Sequence, residues 1–266
     1  MKLHAGSAKA RGLEIGFVED GVKRQAARVS LVVLCALVAS SLAFAGGKST
    51  KKESAESKMV DSGSFGVFFK GRRIATETFE VQQKPNYSIT TSDLKLEDGT
   101  AQTAELQIFP NGNLRKYTWR ALAPEKAQSV IEPGDQILTQ LITVGSDKPV
   151  SHPYILPPST IVLDDYFFVH RELLAWRYLG SGCIPGERQC ALPKAQMGIL
   201  VPRQQTPAVV TMEYKGREKV TVHGVEQELS CFLLKNEDQE WQLWLNDQYK
   251  LIRILIASEN TEVVRD

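Results

Sequence analysis

The chain has 266 residues, with 32 Lys and Arg against 31 Asp and Glu, so its formal net charge is +1. A charge this close to neutral gives no electrostatic reason to expect binding to nucleic acid or to an anionic membrane surface. The length is enough for one substantial hydrophobic core.

An export signal is predicted near the N-terminus. Residues 31–45 (LVVLCALVASSLAFA) carry no charge, and Lys23, Arg24 and Arg28 precede them. The run ends in Ala-Phe-Ala, which places small residues at the −3 and −1 positions of a cleavage site. We expect cleavage after Ala45 and a mature protein that is periplasmic or secreted. A retained membrane anchor is the alternative, but a spanning helix needs about 20 apolar residues, so no stable membrane span is expected.

Two details qualify the signal. Residues 1–21 contain acidic residues that are unusual before a signal core, so translation starting at Val22 would make that stretch an artefactual extension. Cys35 follows Leu34 instead of a small residue, which argues against lipid attachment. Residues 1–45 carry six Lys and Arg and three Asp and Glu, so cleavage takes the formal net charge from +1 to −2.

After the signal, residues 46–64 are rich in Lys, Ser, Glu and Gly and predict a flexible leader. Residues 65–266 predict a single β-rich domain. Its first half is typical of an antiparallel meander, with turns at Lys70-Gly71, at 110–113 and at 133–135. Strands are expected at 65–70, 72–81, 87–94, 104–109, 114–121, 127–131 and 136–144. Residues 147–158 contain four prolines and predict a loop.

One helix is predicted at 163–179 (LDDYFFVHRELLAWRYL), because apolar residues recur there at helical spacing. Asp164 and Asp165 suit its N-terminus, where the helix dipole favours negative charge. Gly180 and Gly182 suit its end. The apolar face is broad and must be buried.

Strands resume after the helix, at 197–202, 208–214, 218–223, 228–234, 241–245, 251–257 and 262–264. Lys215-Gly216 is predicted to be a turn. The sequence there, Tyr-Lys-Gly-Arg at 214–217, resembles Phe-Lys-Gly-Arg at 69–72, which is weak evidence for an internal duplication. The predicted fold is mainly β (α+β), with an antiparallel curled sheet or half-barrel wrapped round one central helix.

Three cysteines remain after cleavage. Cys183 and Cys190 enclose a short loop containing Pro and Gly, and a disulfide between them is predicted, since an exported compartment permits one. Cys231 lies in an apolar strand pattern and is interpreted as a small buried hydrophobe. A bridge from Cys231 to one of the loop cysteines is the alternative.

Several short motifs resemble a set of uncharacterised exported bacterial proteins, known mainly as domains of unknown function. The motifs are GVFFKG at 66–71, ETFE at 77–80, DDY at 164–166, LWLND at 243–247, LIR at 251–253 and EVVR at 262–265. The resemblance covers residues 64–266. It implies an open β half-barrel round a helix, similar to the periplasmic lipoprotein carriers, with a concave face that accepts lipid. It implies no catalytic residues.

No catalytic, metal or cofactor site is predicted. The sequence lacks H-E-x-x-H, C-x-x-C, G-x-S-x-G and Gly-rich phosphate loops. His170 has carboxylates nearby in sequence, but it lies on the apolar face of the helix and is interpreted as a packed side chain. Arg177 is a candidate for a ligand carboxylate or headgroup, and a buried ion pair is the alternative. The candidate ligand-binding residues are Phe68, Tyr166, Phe167, His170, Trp176, Arg177, Trp241 and Trp244, and a filled core is the competing interpretation.

The functional hypothesis is an exported, non-catalytic binding protein that carries or senses a hydrophobic ligand, such as a small molecule or lipid, or assists an envelope component. The alternative is a structural or interaction protein of the cell envelope, and a hydrolase-type enzyme is third. A hollow space between helix and sheet favours the first hypothesis. An exposed His170 beside a carboxylate favours the third.

Overall fold

The computed structural model describes residues 57–266 except 136, 183–193 and 238. The predicted signal, most of the predicted leader and the predicted Cys183–Cys190 disulfide lie outside the described residues. Residues Ala55–Asp266 form one compact unit. In this unit Cys231 is a free, buried cysteine.

The described residues form fifteen strands, one α-helix and one 3-10 helix. The strands are β1 (Lys58–Phe69), β2 (Arg72–Gln83), β3 (Ser88–Leu96), β4 (Ala101–Ile108), β5 (Leu114–Ala123), β6 (Ala127–Pro133), β7 (Leu138–Val144), β8 (Val150–Tyr154), β9 (Ile161–Val162), β10 (Lys194–Val201), β11 (Thr206–Val222), β12 (Val225–Lys235), β13 (Glu240–Leu245), β14 (Leu251–Ile256) and β15 (Thr261–Arg265). Helix α1 is Val169–Gly182, and the 3-10 helix is Ala257–Glu259.

All fifteen strands belong to one sheet, in the order β8-β7-β6-β5-β4-β3-β2-β1-β15-β14-β13-β12-β11-β10-β9. The sheet is therefore two meanders joined where β1 pairs antiparallel with β15. Pairing is antiparallel throughout except between β9 and β10. No ladder joins the two end strands β8 and β9, so the sheet is curled but open. The predicted fold class is confirmed.

The two ends of the sheet approach each other without pairing. Strand β9 contacts β5. The Gln140 side chain on β7 donates hydrogen bonds of 2.8 Å to the Ser129 hydroxyl and to the Pro202 carbonyl, which follows β10. The Tyr154 hydroxyl donates to the Gln140 amide oxygen at 2.8 Å. These hydrogen bonds hold β6, β7 and β8 close to the residue that follows β10.

The main core lies between the concave face of the sheet and α1. Successive side chains of β2 point to opposite faces of the sheet, so every second one faces the core, including Ala75, Phe79 and Val81. Helix residues Leu174 and Tyr178 are at most 1% exposed and belong to the same core as Phe232 of β12. The aromatic pairs Phe65–Phe79 and Tyr178–Phe232 lie within this core.

A second, smaller core lies on the opposite face of the sheet. It contains Cys231, Trp244 and Val264, whereas Phe232, the neighbour of Cys231, faces the main core. This second core is covered by the far half of the β11–β12 hairpin, residues 217–230, which we call the flap. The flap bends at Gly216, where φ is 105° and the register between β11 and β12 shifts. At its tip, His223 Nε2 lies 2.7 Å from the Arg265 carbonyl oxygen.

The predicted turn at Lys215-Gly216 is therefore wrong. Strand β11 continues for 17 residues through this point, and Gly216 forms a bulge that bends the hairpin. Lys70-Gly71, by contrast, does form the β1–β2 turn, with both residues at positive φ. The two similar segments have different structures, so they give no support to an internal duplication.

The predicted start of the helix is also wrong. Helix α1 begins at Val169, and residues 163–168 are non-helical. Their amides are bound elsewhere: the Leu163 N–H donates to the Leu200 carbonyl at 3.1 Å, and the Tyr166 N–H donates to the Asp164 carboxylate at 2.9 Å. Spacing alone does not reveal such competition, because these bonds depend on tertiary contacts.

Two further boundaries differ from the prediction. Strand β1 begins at Lys58, so the C-terminal part of the predicted leader is a strand, held by a buried Asp61 that pairs with distant cations. Strand β8 lies within the predicted proline-rich loop. Pro153 is compatible with it because β8 is an edge strand with one neighbour, β7, so a missing N–H costs little.

Candidate functional site

The polar centre of the molecule lies where α1 begins, and Asp164 is its first organising residue. Asp164 is fully buried just before the helix. The Tyr117 hydroxyl of β5 donates a 2.5 Å hydrogen bond to one carboxylate oxygen. Arg203, which follows β10, lies with its Nε at 3.0 and 3.2 Å from the two oxygens. We call Tyr117, Asp164, His170 and Arg203 the Asp164 cluster. It joins both meanders to the helix.

Aromatic rings enclose the Arg203 guanidinium. It lies 4.0 Å from the Tyr166 ring centroid and 4.6 Å from that of Trp119. Cation–π contacts of this kind strengthen when they are shielded from water. Burial and the adjacent Asp164 carboxylate raise the pKa of Tyr117 well above its ordinary value, so Tyr117 is a neutral hydrogen-bond donor. The Asp164 carboxylate is thus met by the Arg203 cation, the Tyr117 phenol and the Tyr166 N–H.

His170 lies in the same cluster but does not contact the Asp164 carboxylate through a hydrogen bond. Its Nδ1 is 3.3 Å from the Asp164 backbone nitrogen, so it accepts that N–H in the tautomer protonated at Nε2. The ring is 2% exposed and packs near Tyr117 and Phe167. Burial lowers the pKa of His170 to about 4, although the Asp164 charge opposes this. His170 is a neutral core side chain without access to solvent, which general acid–base catalysis would require.

The first turn of α1 is capped by a carboxylate from the sheet. Glu77 on β2 accepts the Phe168 N–H at 2.6 Å and the Val169 N–H at 3.4 Å. These are amides that a helix start leaves without intrahelical partners. Burial raises the pKa of Glu77 to about 7, against the effect of these hydrogen bonds. Glu77 therefore fixes where the helix begins and how it sits on the sheet.

Arg171 completes this end of the helix from inside the core. Its side chain is 2% exposed, and its Nη1 donates to the carbonyls of Asp164 at 3.0 Å and Phe167 at 3.3 Å. The Asp165 carboxylate lies 4.0 Å from Nη2. Buried arginine is tolerated when its charge and most of its donors are met in this way, although the Arg171 Nε has no hydrogen-bond partner. Arg171 holds the segment before the helix in its non-helical path.

A second buried group of charges lies on the other side of α1 and consists of Asp61, Glu172, Lys250 and Arg265. We call it the Asp61 cluster. Arg265 Nη2 and Lys250 Nζ lie 2.6 and 2.7 Å from the two Asp61 oxygens. Burial acts to raise the pKa of Asp61, but Lys250 and Arg265 outweigh it and the pKa is lowered. This cluster connects β1, β15, the β13–β14 turn and the helix.

Glu172 differs from every other carboxyl in these clusters. It is fully buried, and neither of its oxygens has a hydrogen-bond partner within normal geometry. Arg265 Nη1 is 3.8 Å from one oxygen, beyond hydrogen-bond length. Burial, with the neighbouring Asp61 charge, raises the pKa of Glu172 to about 9. The Glu172 carboxyl is therefore neutral near pH 7.

The structure does not bring the predicted ligand-binding residues together. Phe167, His170 and Trp241 are buried in the main core, and Tyr166 stacks on Arg203. Phe68 and Trp244 lie on the opposite face, in the core under the flap. The candidate set is Phe68, Tyr166, Phe167, His170, Trp176, Arg177, Trp241 and Trp244, and it divides between two faces of the sheet.

The polar tips of Trp176 and Arg177 are bound to backbone carbonyls. Trp176 Nε1 donates to the Tyr249 carbonyl at 2.6 Å. Arg177 donates to the Gly112 carbonyl at 2.7 Å and to the Ser159 carbonyl at 3.1 Å. These contacts differ from the buried ion pair considered for Arg177, and its ligand role stays a prediction. Both residues fasten the C-terminal half of α1 to turns at one end of the sheet.

The side chains of α1 that face the sheet are buried in the described part of the molecule. Leu174, Ala175 and Tyr178 from the helix are at most 1% exposed. Two open surface depressions of about 380 and 370 Å³ lie beside the β12–β13 turn. Most of the residues that line them are polar or charged, and none belongs to α1. Within residues 57–266, apart from the gaps, no group of three or more His, Cys, Asp or Glu is arranged to hold a metal.

Sequence reasoning singled out Asp164, His170 and the carboxylates near His170, which include Glu172, but it missed the other members of both clusters and also Glu77. One signal was available for Glu77, because it occupies an inward position of β2 between Ala75 and Phe79. A carboxyl at a core-facing strand position must find buried partners. Nothing local marks Tyr117, Arg203 or Arg265, since their partners lie 47, 39 and 204 residues away in the chain.

Comparisons with known proteins do not identify a family for this chain. No family model matches the chain, and no curated protein matches it. Among solved structures, a β-barrel-like protein of the domain of unknown function DUF1849 from Brucella abortus is similar over 77% of this chain and 94% of its own length, with 7% identity and a TM-score of 0.48. A likeness this distant carries no argument about function. In the described residues no helix has the length and apolar character to cross a bilayer.

Proposed function

We propose that this chain is an exported, non-catalytic interaction protein of the cell envelope, which binds an extended segment of another envelope protein along its free edge strand β8. The observation that carries the proposal is a concentration of exposed apolar side chains at this edge. The residues are Ile137, Leu141, Val144, Val150 and Ile155.

The edge is chemically suited to strand addition. Strand β8 has one neighbour, β7, so its other side presents unpaired backbone N–H and C=O groups, apart from Pro153, which has no N–H. Strand addition uses such groups for affinity and flanking apolar side chains for specificity. Five of the twelve large apolar side chains that are exposed in the described residues lie between Ile137 and Ile155, which is a short part of the chain. Strand β8 contains no Lys, Arg, Asp or Glu that would oppose pairing.

The interior supports this function better than it supports a carrier of hydrophobic ligands. A carrier needs an apolar cavity, and such sites typically enclose about 300–1,000 Å³. The helix packs against the sheet through fully buried side chains, and two buried charge clusters fasten its N-terminal half. Opening that space would separate Asp164 from Arg203 and Glu77 from the helix amides, which is costly for buried charges.

In-cell photo-crosslinking tests the proposal. A photoreactive residue at Ser151 of β8 reports the edge, and one at Asp93 of the interior strand β3 serves as the control position; both positions are exposed. We expect a crosslink to another envelope protein from position 151 and none from position 93. Equal products from both positions would contradict the proposal, and so would products containing only two copies of this chain.

A pair of matched substitutions makes the test specific. Val150 on β8 is 56% exposed, and Val209 on the interior strand β11 is 57% exposed. Val150→Lys places a charge on the apolar edge and is expected to abolish the crosslink from position 151. Val209→Lys adds the same charge elsewhere and is expected to leave it intact. A crosslink that survives Val150→Lys would show that the edge is not the binding surface.

A further inference from the structure

Glu172 occupies a position where three other elements meet the helix. Asp61 comes from β1, Arg265 from β15 and Lys250 from the turn between β13 and β14. Asp61 and Arg265 are the charged groups that face Glu172 from the elements packed against it, and Lys250 pairs with Asp61 beside them. Arg265 also donates to the Leu251 carbonyl at 3.2 Å and to the Ser62 carbonyl at 3.1 Å. Its remaining capacity to neutralise Glu172 is therefore small.

The two cations of the Asp61 cluster lie closer to Asp61 than to Glu172. Asp61 takes the close contacts of both cations, at 2.6 and 2.7 Å, while Glu172 is 3.8 Å from the nearer one. Both carboxyls approach the same Arg265 guanidinium, so they lie beside each other in the core. A neutral Glu172 fits this arrangement, whereas an ionised Glu172 would place a second negative charge beside Asp61 in a buried site.

We infer that the Glu172 carboxyl is a pH-sensitive latch, which holds α1 against β1 and β15 when it is neutral and loosens this contact when it ionises. The latch acts at the junction of the two meanders, where β1 pairs with β15. It is independent of the β8 edge, and its failure would leave the proposed function untouched.

The direction of the pH effect follows from the proton balance. The pKa of Glu172 is raised from 4.5 to about 9 on folding. Below pH 4.5 both folded and unfolded chains hold the proton, so the stabilisation by the neutral carboxyl is fully present. Between pH 4.5 and 9 only the folded chain holds it, and stability falls as pH rises. The folding equilibrium constant then decreases by up to about tenfold per pH unit through this group.

The experiment compares the full chain with Glu172→Gln, which is neutral at every pH, and with Glu80→Gln, an exposed control on β2. Urea unfolding is measured from pH 6 to pH 9.5, together with hydrogen exchange of the α1 amides corrected for intrinsic rates. We expect the wild type and Glu80→Gln to lose stability and α1 protection above pH 7. We expect Glu172→Gln to lose much less of both, with a remaining loss near pH 9.5 from groups such as Cys231, whose pKa is also raised on folding. An identical pH dependence in wild type and Glu172→Gln would overturn the latch.

A spectroscopic measurement keeps the inference testable if Glu172→Gln does not fold. Carboxyl ¹³C signals of glutamate are followed by NMR in the folded wild type between pH 5 and 9.5. We expect one signal to titrate near pH 9, separate from that of Glu77 near pH 7, and we expect Asp61→Asn to move the higher titration to lower pH, because the opposing charge is removed while Arg265 and Lys250 remain. If no glutamate carboxyl titrates above pH 7, the latch does not exist.

Discussion

The Tyr117 hydroxyl lies 2.5 Å from the Asp164 carboxylate, and this hydrogen bond joins the middle of one meander to the segment that precedes the helix. Arg203 approaches the same carboxylate from the other meander. A single buried acid thus receives one donor from each half of the sheet. The two halves are tied together through Asp164 at a place where no strand ladder connects them.

Removing the phenol should destabilise the fold. Tyr117→Phe leaves the ring but deletes a donor to a buried charge, and such hydrogen bonds contribute about 1.5–3 kcal/mol. We expect a loss of this size in the free energy of unfolding, measured by urea denaturation. Tyr87→Phe is the control, because Tyr87 is half-buried and packs under Arg115. Equal stability of wild type and Tyr117→Phe would contradict a structural role for this bond.

The cap from Glu77 should be necessary for the start of the helix. Glu77→Ala leaves the Phe168 and Val169 amides without their acceptor, and we expect a loss of about 2–4 kcal/mol in unfolding free energy. Glu77→Gln keeps one acceptor oxygen and should lose less. Glu80→Ala, on the exposed side of the same strand, should change stability by no more than about 0.5 kcal/mol. Calorimetry of the wild type and the three variants measures the order of their stabilities. A Glu77→Gln variant that is less stable than Glu77→Ala would contradict this prediction.

His170 should resist protonation. Its pKa is lowered from 6.5 to about 4 in the folded chain. The unfolded chain therefore takes up a proton before the folded chain does, and stability falls as pH drops from 6.5 toward 4. We expect the His170 ring signals in NMR to stay constant above pH 5, with assignment by their loss in His170→Gln. A ring that titrates near 6.5 would show that water reaches the Asp164 cluster.

His170 should also affect how the free energy of unfolding changes between pH 6.5 and 4. Glu77 acts in the opposite direction over part of this range, because its pKa is raised to about 7. The informative quantity is therefore the difference in slope between wild type and His170→Gln. We expect His170→Gln to lose less stability between pH 6.5 and 4 than the wild type does, whatever its absolute stability.

The bend at Gly216 should control access to Cys231. Gly216 pairs with Cys231 and has φ of 105°, where a Cβ atom is strained, at a cost of about 1–3 kcal/mol. Burial, assisted by Glu218, raises the pKa of the Cys231 thiol to about 12, so it should react slowly. We expect Gly216→Ala to loosen the flap and accelerate alkylation of Cys231, followed by peptide mass spectrometry.

Gly198→Ala is the matched control for the flap. Gly198 lies in β10 with no atom within 4 Å of an added Cβ, and it requires no positive φ. Its Cys231 alkylation rate should equal that of the wild type. An unchanged rate in Gly216→Ala would mean that the bend does not hold the flap closed.

Local patterns predicted much of the fold, because alternation and turn residues act over short distances. Lys70-Gly71 and the Asn-Gly at 111–112 both form the expected turns. Gly216 shows the limit of such reasoning: the same Lys-Gly pair gives a bulge when the partner strand continues beside it. The late start of α1 shows a second limit, because Glu77 and Arg171 select Val169 through contacts that spacing does not reveal.

The candidate site was less predictable than the fold. Tyr166, Phe167 and His170 do lie near the polar centre, but aromatic character pointed equally to Phe68 and Trp244, which are on the other face. Whether an aromatic side chain lines a ligand site or fills a core depends on its three-dimensional neighbours. The buried acids carry more information, since each one requires partners, but those partners come from distant strands.

The pairing of β1 with β15 has a consequence for how the chain folds. Asp61 in the first strand meets Arg265 in the last, 204 residues later. During synthesis, one edge of β1 and the Asp61 carboxylate therefore stay unpaired until β15 has been made. Contacts of such long sequence separation fold slowly and leave strands open to aggregation. A binding factor that covers the β1 edge during this interval would speed recovery of the folded protein more than its final stability.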